Sequence, residues 1–249
     1  MSKHEEFQRE VAGNIQGLRE DRDVQALSRI WVREISRHKY AYNFSWFGRP
    51  AIQFPQDMIA MQELIAKVQP QVIIETGIAH GGSLLFSASM LELAAICGGP
   101  QDAEVIGIDI DIRPHNREAI ESHPLSRRVS MIEGSSISEE VVSQVRDRVA
   151  GKGPVMVCLD SHHSHDHVLA ELQAYAPMVT PGSYCVTFDT LVEDLPAELS
   201  GDRPWRPGDS PKTAVHEFLK TSEQFQIDRD IDAKLLISVA PDGYLKRVA

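Results

Sequence analysis

Short continuous apolar runs alternate with longer segments of helical periodicity through most of the chain. The runs VIIETG, EVIGIDID, VSMIEG, VMVCLD and SYCVTFD each end in Gly or Asp. Between them lie segments with apolar residues at helical spacing, such as SLLFSASMLELAAI, SEEVVSQVRDRV and HVLAELQAYAPMV. Continuous apolar strands that alternate with helices are typical of a parallel sheet covered on both faces. The pattern therefore predicts an α/β fold with a doubly wound, mostly parallel sheet.

The two ends of the chain depart from this alternation. The N-terminal segment is predicted to be helical, from the spacing of its apolar residues Phe7, Val11, Ile15 and Leu18. Residues 40–54 are rich in aromatic residues and are interrupted by Gly and Pro, which indicates an ordered loop. This aromatic segment either packs a cap onto the main domain or lines a pocket. We predict an N-terminal helical and aromatic cap over residues 1–56 and a main domain over residues 57–249, which begins with a helix capped by Asp57.

The C-terminal segment QIDRDIDAKLLISVAPDGYLKRV indicates two strands joined at Pro241-Asp242-Gly243, a sequence typical of tight turns. The whole pattern then predicts a seven-stranded, mostly parallel sheet that finishes in an antiparallel hairpin. This Rossmann-like architecture is the one expected of a class I methyltransferase domain.

Composition and charge exclude several classes of protein. The chain has 249 residues and a formal net charge of −11, from 25 Lys+Arg and 36 Asp+Glu. Because nucleic-acid binding depends on basic residues that neutralise phosphates, we expect no nucleic-acid partner. The N-terminus MSKHEEFQRE has no apolar signal segment, and the most apolar long stretch, Leu84 to Cys97, is too short to span a bilayer. Three widely spaced cysteines are predicted to be reduced, mostly buried thiols, so we expect a cytoplasmic protein with no membrane partner.

Candidate binding residues follow the predicted strands, because ligands of a doubly wound sheet bind at the carboxyl ends of its strands. The first strand ends in the acidic, glycine-rich sequence Glu75-Thr76-Gly77-Ile78-Ala79-His80-Gly81-Gly82-Ser83. Its glycines allow close approach of a ligand to the backbone, although a tight structural turn would have the same composition. The second strand ends in Asp109, a position that commonly binds ribose hydroxyls. The third ends in Ser135 and Ser136, which either bind an adenine edge or, for Ser136, cap the next helix.

A cluster of histidines and carboxylates follows the fourth strand, in the sequence Asp160-Ser161-His162-His163-Ser164-His165-Asp166-His167. Asp189 ends the neighbouring fifth strand, so Asp160 and Asp189 should face one cleft. Two facing carboxylates repel each other unless a cation lies between them, which indicates a hard metal such as Mg²⁺. Residues 163–167, with the sequence HSHDH, also resemble HxHxDH, the signature of zinc-dependent hydrolases, although they lack the residue between the second His and the Asp. That function is an alternative. His165 and His167 have a further alternative as a solvated cluster that caps the following helix.

Several segments in order resemble the cephalosporin hydroxylase / rhamnosyl O-methyltransferase family, namely IIETGIAHGGSLLFSASML, VIGIDIDIRPHNREAIESHP, LDSHHSHDHVLAELQAYAPMV and DRPWRPGDSPKTAV. The similarity extends over residues 40–248. It implies an S-adenosylmethionine (SAM) domain and an O-methyltransferase that acts, with help from Mg²⁺, on a hydroxyl group of a small-molecule acceptor such as a sugar or natural product. It also implies a homo-oligomer.

The resemblance implies roles for individual residues. Asp109 would bind the ribose of SAM, Ser135 the adenine, and Asp160 and Asp189 the Mg²⁺, with Asp160 also next to the bound SAM. His163 is the third residue after Asp160, the spacing of the base lysine in catechol-type O-methyltransferases, and is the candidate general base. The methionine part of SAM would be held by residues of the glycine-rich turn, namely Glu75, Gly77, His80, Gly81 and Ser83.

The end of the fifth strand departs from the pattern of related metal-dependent enzymes, which often have two acidic residues or Asp-Asn there. Here Asp189 lies between Phe188 and Thr190, and Glu193 and Asp194 are the nearest substitutes for a third metal ligand. The missing carboxylate favours a second alternative, a protein that binds SAM without turnover.

The loop from 194 to 210 is either a lid over the acceptor or an ordered surface crossover.

Overall fold

The computed structural model describes residues 2–249, which begin with two helices. Helix α1 spans Lys3–Glu20 and α2 spans Arg22–Ser36. Asp21 separates them, because its side chain accepts hydrogen bonds from the N–H groups of Asp23 and Val24 and so caps α2. The predicted N-terminal helical segment is therefore divided in two.

The aromatic segment forms a small antiparallel ribbon. Strand β1 (Phe44–Trp46) pairs with β2 (Arg49–Ala51) after a short 3₁₀ turn at Tyr40–Asn43. The Trp46 ring packs edge-on against Phe86 at 4.9 Å between centroids, and its indole N–H donates to Ser89 Oγ at 2.9 Å. These contacts hold the ribbon on the main domain.

The remainder of the chain forms the large sheet and its covering helices. In chain order these elements are α3 (Pro55–Val68), β3 (Val72–Thr76), α4 (Gly82–Ile96), β4 (Glu104–Asp109), α5 (Pro114–Glu121), β5 (Val129–Glu133), α6 (Glu139–Val149), β6 (Val155–Leu159), α7 (His165–Tyr175), β7 (Tyr184–Thr187), α8 (Pro211–Thr221), β8 (Phe225–Ile227), α9 (Arg229–Leu235) and β9 (Tyr244–Arg247). Further 3₁₀ turns lie at Ser126–Arg128, Ala176–Met178, Thr190–Asp194 and Ala197–Ser200.

The large sheet has the predicted seven strands, and their order is β5-β4-β3-β6-β7-β9-β8. The first five strands in this order are parallel, and β9 runs antiparallel to both β7 and β8. The C-terminal antiparallel pair is present, but its first strand lies earlier than the apolar run before Pro241. Helix α9 and a loop occupy the connection, because Arg229 to Leu235 form a helix capped by Asp228.

Helices cover both faces of the sheet and create two apolar layers. One layer places α3, α4 and the cap against one face, and the other places α6, α7 and α8 against the opposite face. Every residue of β3 and β6 is buried, which explains their continuous apolar sequences. Cys158 and Cys185 lie buried in this core, whereas Cys97 is exposed at the end of α4, and all three are free thiols.

Asp57 is a buried tertiary contact and not a helix cap, contrary to the prediction. Helix α3 begins at Pro55, so Asp57 lies within its first turn and is 1% exposed. Its carboxylate accepts hydrogen bonds from Ser238 Oγ at 2.5 Å, Val239 N at 2.9 Å and Tyr244 Oη at 2.7 Å. Burial raises the pKa of Asp57 to about 6, although these hydrogen bonds oppose the rise. Asp57 thus joins the start of α3 to the C-terminal strand.

Within residues 2–249, no helix combines the length and the apolar character needed to cross a membrane. The boundary between a cap and a main domain at residue 56 stays a prediction.

We expect Asp57→Ala to lower the free energy of unfolding by about 2–4 kcal/mol, because it leaves three buried donors without their acceptor. Urea denaturation followed by circular dichroism measures this change. Glu63→Ala on the same helix is the matched control, since Glu63 is half exposed and pairs only with Lys234 at the surface. That control should change stability by less than about 1 kcal/mol. Equal effects of the two substitutions would contradict the role of Asp57.

Candidate functional site

The glycine-rich turn between β3 and α4 lies directly against the end of β6. Gly77 has φ +89°, and a Cβ atom there would lie 2.0 Å from the carbonyl oxygen of Asp160. Gly81 has φ +81°, and a Cβ atom there would lie 2.5 Å from a side-chain carbon of Ile120. Only glycine satisfies both the left-handed conformation and the close approach. The turn thereby brings Asp160 next to the free N-terminal end of α4.

Side chains from three other elements hold this turn. The Asp109 carboxylate accepts from the N–H groups of Ile78 at 2.8 Å and Ala79 at 3.2 Å. From the other side, Arg49 Nε donates to the His80 carbonyl at 2.9 Å. Asn116 Nδ2 donates to the Ala79 carbonyl at 2.8 Å, and Arg49 donates to Asn116 Oδ1 at 2.7 Å. The turn is thus preorganised in a conformation that leaves its inner surface open.

Arg49 and Asn116 were not identified from the sequence. They bind backbone atoms 31 and 37 residues away, and neither lies at the end of a strand of the large sheet. Arg203 and Trp205, described below, lie in the loop from 194 to 210 that was considered as a lid, but the sequence did not indicate which side chains they contact.

Glu75 lies beneath the turn and is 3% exposed. Burial raises the pKa of Glu75 to about 7, although the hydroxyl groups of Ser83 and Ser87 oppose the rise. Its Oε1 atom has no hydrogen-bond partner among the described residues. Glu75, Ser83 and Asp160 line a small inner cavity of about 30 Å³. An unpartnered buried carboxylate oxygen is a strong acceptor for a positively charged ligand group.

Asp160, His163 and Asp189 form a possible metal centre. One ligand atom from each residue lies within 4.8 Å of the other two, and within the described part of the chain this is the sole group of acidic, histidine or cysteine side chains with that geometry. His163 Nε2 is 3.2 Å from Asp189 Oδ2. Asp189 has φ 54°, so the chain turns sharply at the end of β7 and directs this carboxylate toward β6.

The electrostatic environment of Asp160 fits a bound cation. Burial raises the pKa of Asp160 well above its usual range, and nearby carboxylates, Asp189 first among them, raise it further. A hydrogen bond from Gln53 Nε2 at 3.1 Å partly opposes this rise. A divalent cation would remove the repulsion, and two carboxylates with one imidazole are suitable ligands for it. The residues present therefore fit a metal ion.

The remaining histidines of the cluster point to different partners. His165 Nδ1 is 2.8 Å from Thr213 Oγ1 on α8, and His162 Nδ1 is 3.0 Å from Ser164 Oγ. His167 Nε2 lies 3.1 Å from Ser136 Oγ and 3.2 Å from Ser161 Oγ. These side chains do not share an ion, so the zinc-hydrolase alternative is wrong. His165 and His167 are also partly buried and hydrogen-bonded, which differs from a solvated helix cap.

Glu193 and Asp194 do not replace the missing third carboxylate. Glu193 accepts from Gly208 N at 2.9 Å and from Ser210 Oγ at 2.7 Å, and Asp194 forms an ion pair with the buried Lys212. Both side chains therefore anchor the loop that follows β7 and contribute no ligand atom to the cluster of Asp160, His163 and Asp189.

Two open clefts meet at the cluster of Asp160, His163 and Asp189. One, of about 250 Å³, is lined by the glycine-rich turn and by Gln53, Asp160, Ser161 and His163. The other, of about 590 Å³, lies between the aromatic segment and the loop from 194 to 204, with Tyr40, Phe54 and Leu195 among its residues. Asp189, Tyr42 and Arg203 line both. The aromatic segment thus packs the cap and lines a cleft, so both roles considered for it apply.

The loop from 194 to 210 covers the boundary of these clefts. The Trp205 ring contacts His163 edge-on at 4.8 Å and His162 at 5.1 Å between centroids. The Arg203 guanidinium lies 5.7 Å from the centre of the Trp205 ring and donates to Tyr42 Oη at 2.6 Å. The loop is therefore joined to the aromatic segment across the site.

Two predicted ligand residues, Asp109 and Ser135, do not line either cleft. Asp109 is half-buried and directed at the turn, as described above, and Ser135 follows β5 with its carbonyl accepting from Ser138 Oγ. Ile110, directly after Asp109, is 75% exposed and Ile137 is 42% exposed. These exposed apolar side chains beside the ends of β4 and β5 are suitable to cover a planar ring, and sequence reasoning missed them because it searched only for polar residues.

The chain is similar in sequence to one well-defined group of proteins. A sequence profile described as Rhamnosyl O-methyltransferase/CmcI matches residues 38–248. The rhamnosyl O-methyltransferase of Mycobacterium leprae (strain TN) is 30% identical over 222 residues, which cover 84% of this chain and 88% of that protein. The chain belongs to the rhamnosyl O-methyltransferase/CmcI family. The rhamnosyl O-methyltransferase of Mycobacterium tuberculosis (strain ATCC 25618 / H37Rv) is 28% identical over 220 residues, or 84% of this chain and 83% of that protein.

A solved structure of CmcI with Mg and SAM has the same fold. It superimposes with a TM-score of 0.56 at 20% sequence identity, over 84% of this chain and 78% of that one. The predicted class I methyltransferase architecture is confirmed. Family membership confirms that the chain is a SAM-dependent O-methyltransferase, as the resemblance in its motifs implied.

We expect Gly77→Ala to abolish SAM binding and to lower the free energy of unfolding by more than about 2 kcal/mol, because the new Cβ would collide with the Asp160 carbonyl. Gly151→Ala is the matched control. Gly151 also has a positive φ, +75°, but a Cβ there meets nothing within 4 Å. It should cost about 1 kcal/mol and leave SAM affinity unchanged. Calorimetric titration and thermal unfolding of both variants make the comparison, and SAM binding by Gly77→Ala would contradict the assignment of the turn.

Proposed function

We propose that the chain transfers the methyl group of SAM to a hydroxyl group of a sugar or a sugar-bearing natural product, with help from a divalent cation. The observation that carries this proposal is the convergence of Asp160, His163 and Asp189 where the two clefts meet. A donor in one cleft and an acceptor in the other would have their reacting groups beside this centre. The rhamnosyl O-methyltransferases it resembles support a sugar acceptor.

The donor is assigned to the cleft beside the glycine-rich turn. Gly77, His80, Gly81 and Ser83 would hold its methionine part through the backbone and one hydroxyl, and Glu75 would accept from its ammonium group. Asp109 would bind the ribose and Ser135 the adenine, with Asp160 next to the reacting centre. Binding of the ribose requires Asp109 to share its carboxylate between the ligand and the turn.

Asp160 and Asp189 are assigned as the protein ligands of Mg²⁺. When bound, the cation lowers the pKa of the acceptor hydroxyl, and SAM supplies the methyl group. The two carboxylates orient the acceptor oxygen toward the donor cleft, which removes most of the entropic cost of bringing the two substrates together. The C–S bond of the donor breaks as the new C–O bond forms, and the displaced proton goes to His163.

His163 is assigned as the general base. Its Nε2 atom faces the proposed metal centre, 3.2 Å from Asp189 Oδ2, and Trp205 packs edge-on against the ring. Tyr42, Arg203 and Trp205 would close the acceptor cleft, so the loop from 194 to 210 acts as a lid. The homo-oligomeric state and the cytoplasmic location stay predictions.

The direct test of the function is a methyl-transfer assay with labelled SAM and a panel of sugar and glycoside acceptors, in Mg²⁺ and in EDTA. We expect transfer to a sugar hydroxyl that EDTA removes. Tight SAM binding without transfer to any acceptor in the panel would favour the alternative, a protein that binds SAM without turnover.

Donor affinity should depend on pH through Glu75. The pKa of Glu75 is raised to about 7 in the free protein, so below that pH the carboxyl group is neutral and must ionise before it can bind an ammonium group. We expect SAM affinity to rise about tenfold between pH 5.5 and 7 in calorimetric titrations. Glu75→Gln should bind more weakly and show a flatter pH profile. The same slope in both proteins would contradict this role.

Two substitutions distinguish the metal-binding role of Asp160 from the general-base role of His163. Asp160→Asn should weaken divalent-cation binding and methyl transfer together, whereas His163→Ala should lower kcat about 100-fold or more and keep cation affinity. Mn²⁺ titration by electron paramagnetic resonance measures the cation directly. His165→Ala is the control from the same cluster, and it should leave both properties unchanged, since His165 contacts Thr213. Equal loss of cation affinity in Asp160→Asn and His163→Ala would make His163 a metal ligand.

A further inference from the structure

One face of α7 presents three polar side chains toward the ends of β5 and β6. His167, Glu171 and Tyr175 recur at intervals of four residues and therefore lie in one column along the helix. Glu171 and Tyr175 are both 0% exposed, and the His167 side chain is 21% exposed. This column lies behind the proposed donor site and takes no part in the mechanism above.

The column connects two loops that belong to non-adjacent strands. Ser136 follows β5 and Ser161 follows β6, and the sheet places β4 and β3 between these strands. His167 Nε2 contacts the hydroxyl groups of both serines, at 3.1 and 3.2 Å. Tyr175 Oη donates to the Ser136 carbonyl at 2.6 Å. One helix face thus sets the separation of the two loops.

Glu171 determines which way the hydrogen atoms of this network point. Ser161 Oγ donates its hydrogen to Glu171 Oε1 at 2.6 Å. With that hydrogen committed, Ser161 Oγ has only lone pairs for other partners, so His167 Nε2 must be the donor in the contact between them. Ser161 also lines the donor cleft. Toward the cleft it is therefore an acceptor and not a donor.

Packing alone does not explain a carboxyl group at position 171, because burying it without full hydrogen bonding is unfavourable. Its Oε2 atom has no hydrogen-bond partner among the described residues, and its Oε1 atom lies 3.5 Å from Nε2 of the His167 imidazole. An apolar residue of similar volume is often tolerated or even stabilising at such a buried position. The presence of a carboxyl group at position 171 therefore needs an explanation other than stability.

We propose that Glu171 is a positioning residue that makes the donor site selective for a 6-aminopurine. It holds Ser161 as a hydrogen-bond acceptor, which pairs with the 6-amino group of adenine. A purine with a 6-oxo group would face this oxygen with another acceptor, and the two would repel. The inference rests on the proposed donor site and adds the residue that sets its specificity for the base.

The test compares S-adenosylhomocysteine with S-inosylhomocysteine by isothermal titration of the full chain. We expect the wild type to bind the adenosyl compound at least about tenfold more tightly, as a mismatched buried hydrogen bond implies. Glu171→Leu and Ser161→Ala should each bring the ratio of the two affinities close to one. Glu171→Gln should restore the ratio, because its amide oxygen still accepts from Ser161.

Tyr175→Phe is the matched control on the same helix face. It removes the hydrogen bond to the Ser136 carbonyl but leaves Ser161, His167 and Glu171 in place, so both affinities should change together at a constant ratio. If Glu171→Leu does not fold, Ser161→Ala carries the test alone. An unchanged ratio in a folded Glu171→Leu or in Ser161→Ala would overturn the inference and leave the donor site intact. Failure of the wild type to bind S-adenosylhomocysteine would instead overturn the donor site, and the inference with it.

Discussion

Buried negative charge is the constraint on which the rest of the site depends. Glu75, Asp160 and Glu171 lie at or beneath the carboxyl ends of β3 and β6, and Asp189 faces Asp160 from β7. Loss of hydration on burial raises the pKa of both Glu75 and Asp160, and repulsion by nearby carboxylates raises the pKa of Asp160 further. A site of this kind is completed by cationic ligands. SAM carries a sulfonium and an ammonium group, and a divalent cation adds two further positive charges.

The fold keeps these carboxylates in place with contacts that cross the whole chain. Gln53 from the aromatic segment donates to Asp160, 107 residues later, and Asp57 binds three donors near the C-terminus. Arg49 reaches the glycine-rich turn from the same segment. The N-terminal segment thus contributes to the site although the large sheet begins only at β3. Each contact ties residues 49–57 to a distant part of the main domain.

Residues at the strand ends were predictable to different degrees. Glu75, Gly77 and Asp160 follow continuous apolar runs, and parallel strands bring their carboxyl ends to one edge of the sheet. The zinc signature in residues 163–167 was misleading, because neighbouring residues of a helix point in different directions and only His163 precedes α7. The supposed cap Asp57 was misassigned because Pro55 starts the helix one turn earlier and tertiary hydrogen bonds use the carboxylate.

The sequence by itself determined the alternation of strands and helices, the glycine-rich turn, the two aspartates that face one cleft and the family. These features depend on local periodicity, on backbone conformations that only glycine adopts, and on motifs that survive in order along the chain. The tertiary structure alone decided that Gln53 and Arg49 reach the site from the aromatic segment, that α7 connects two serine loops, and that Trp205 covers His163. Those contacts join elements that are far apart along the chain, so no local pattern records them.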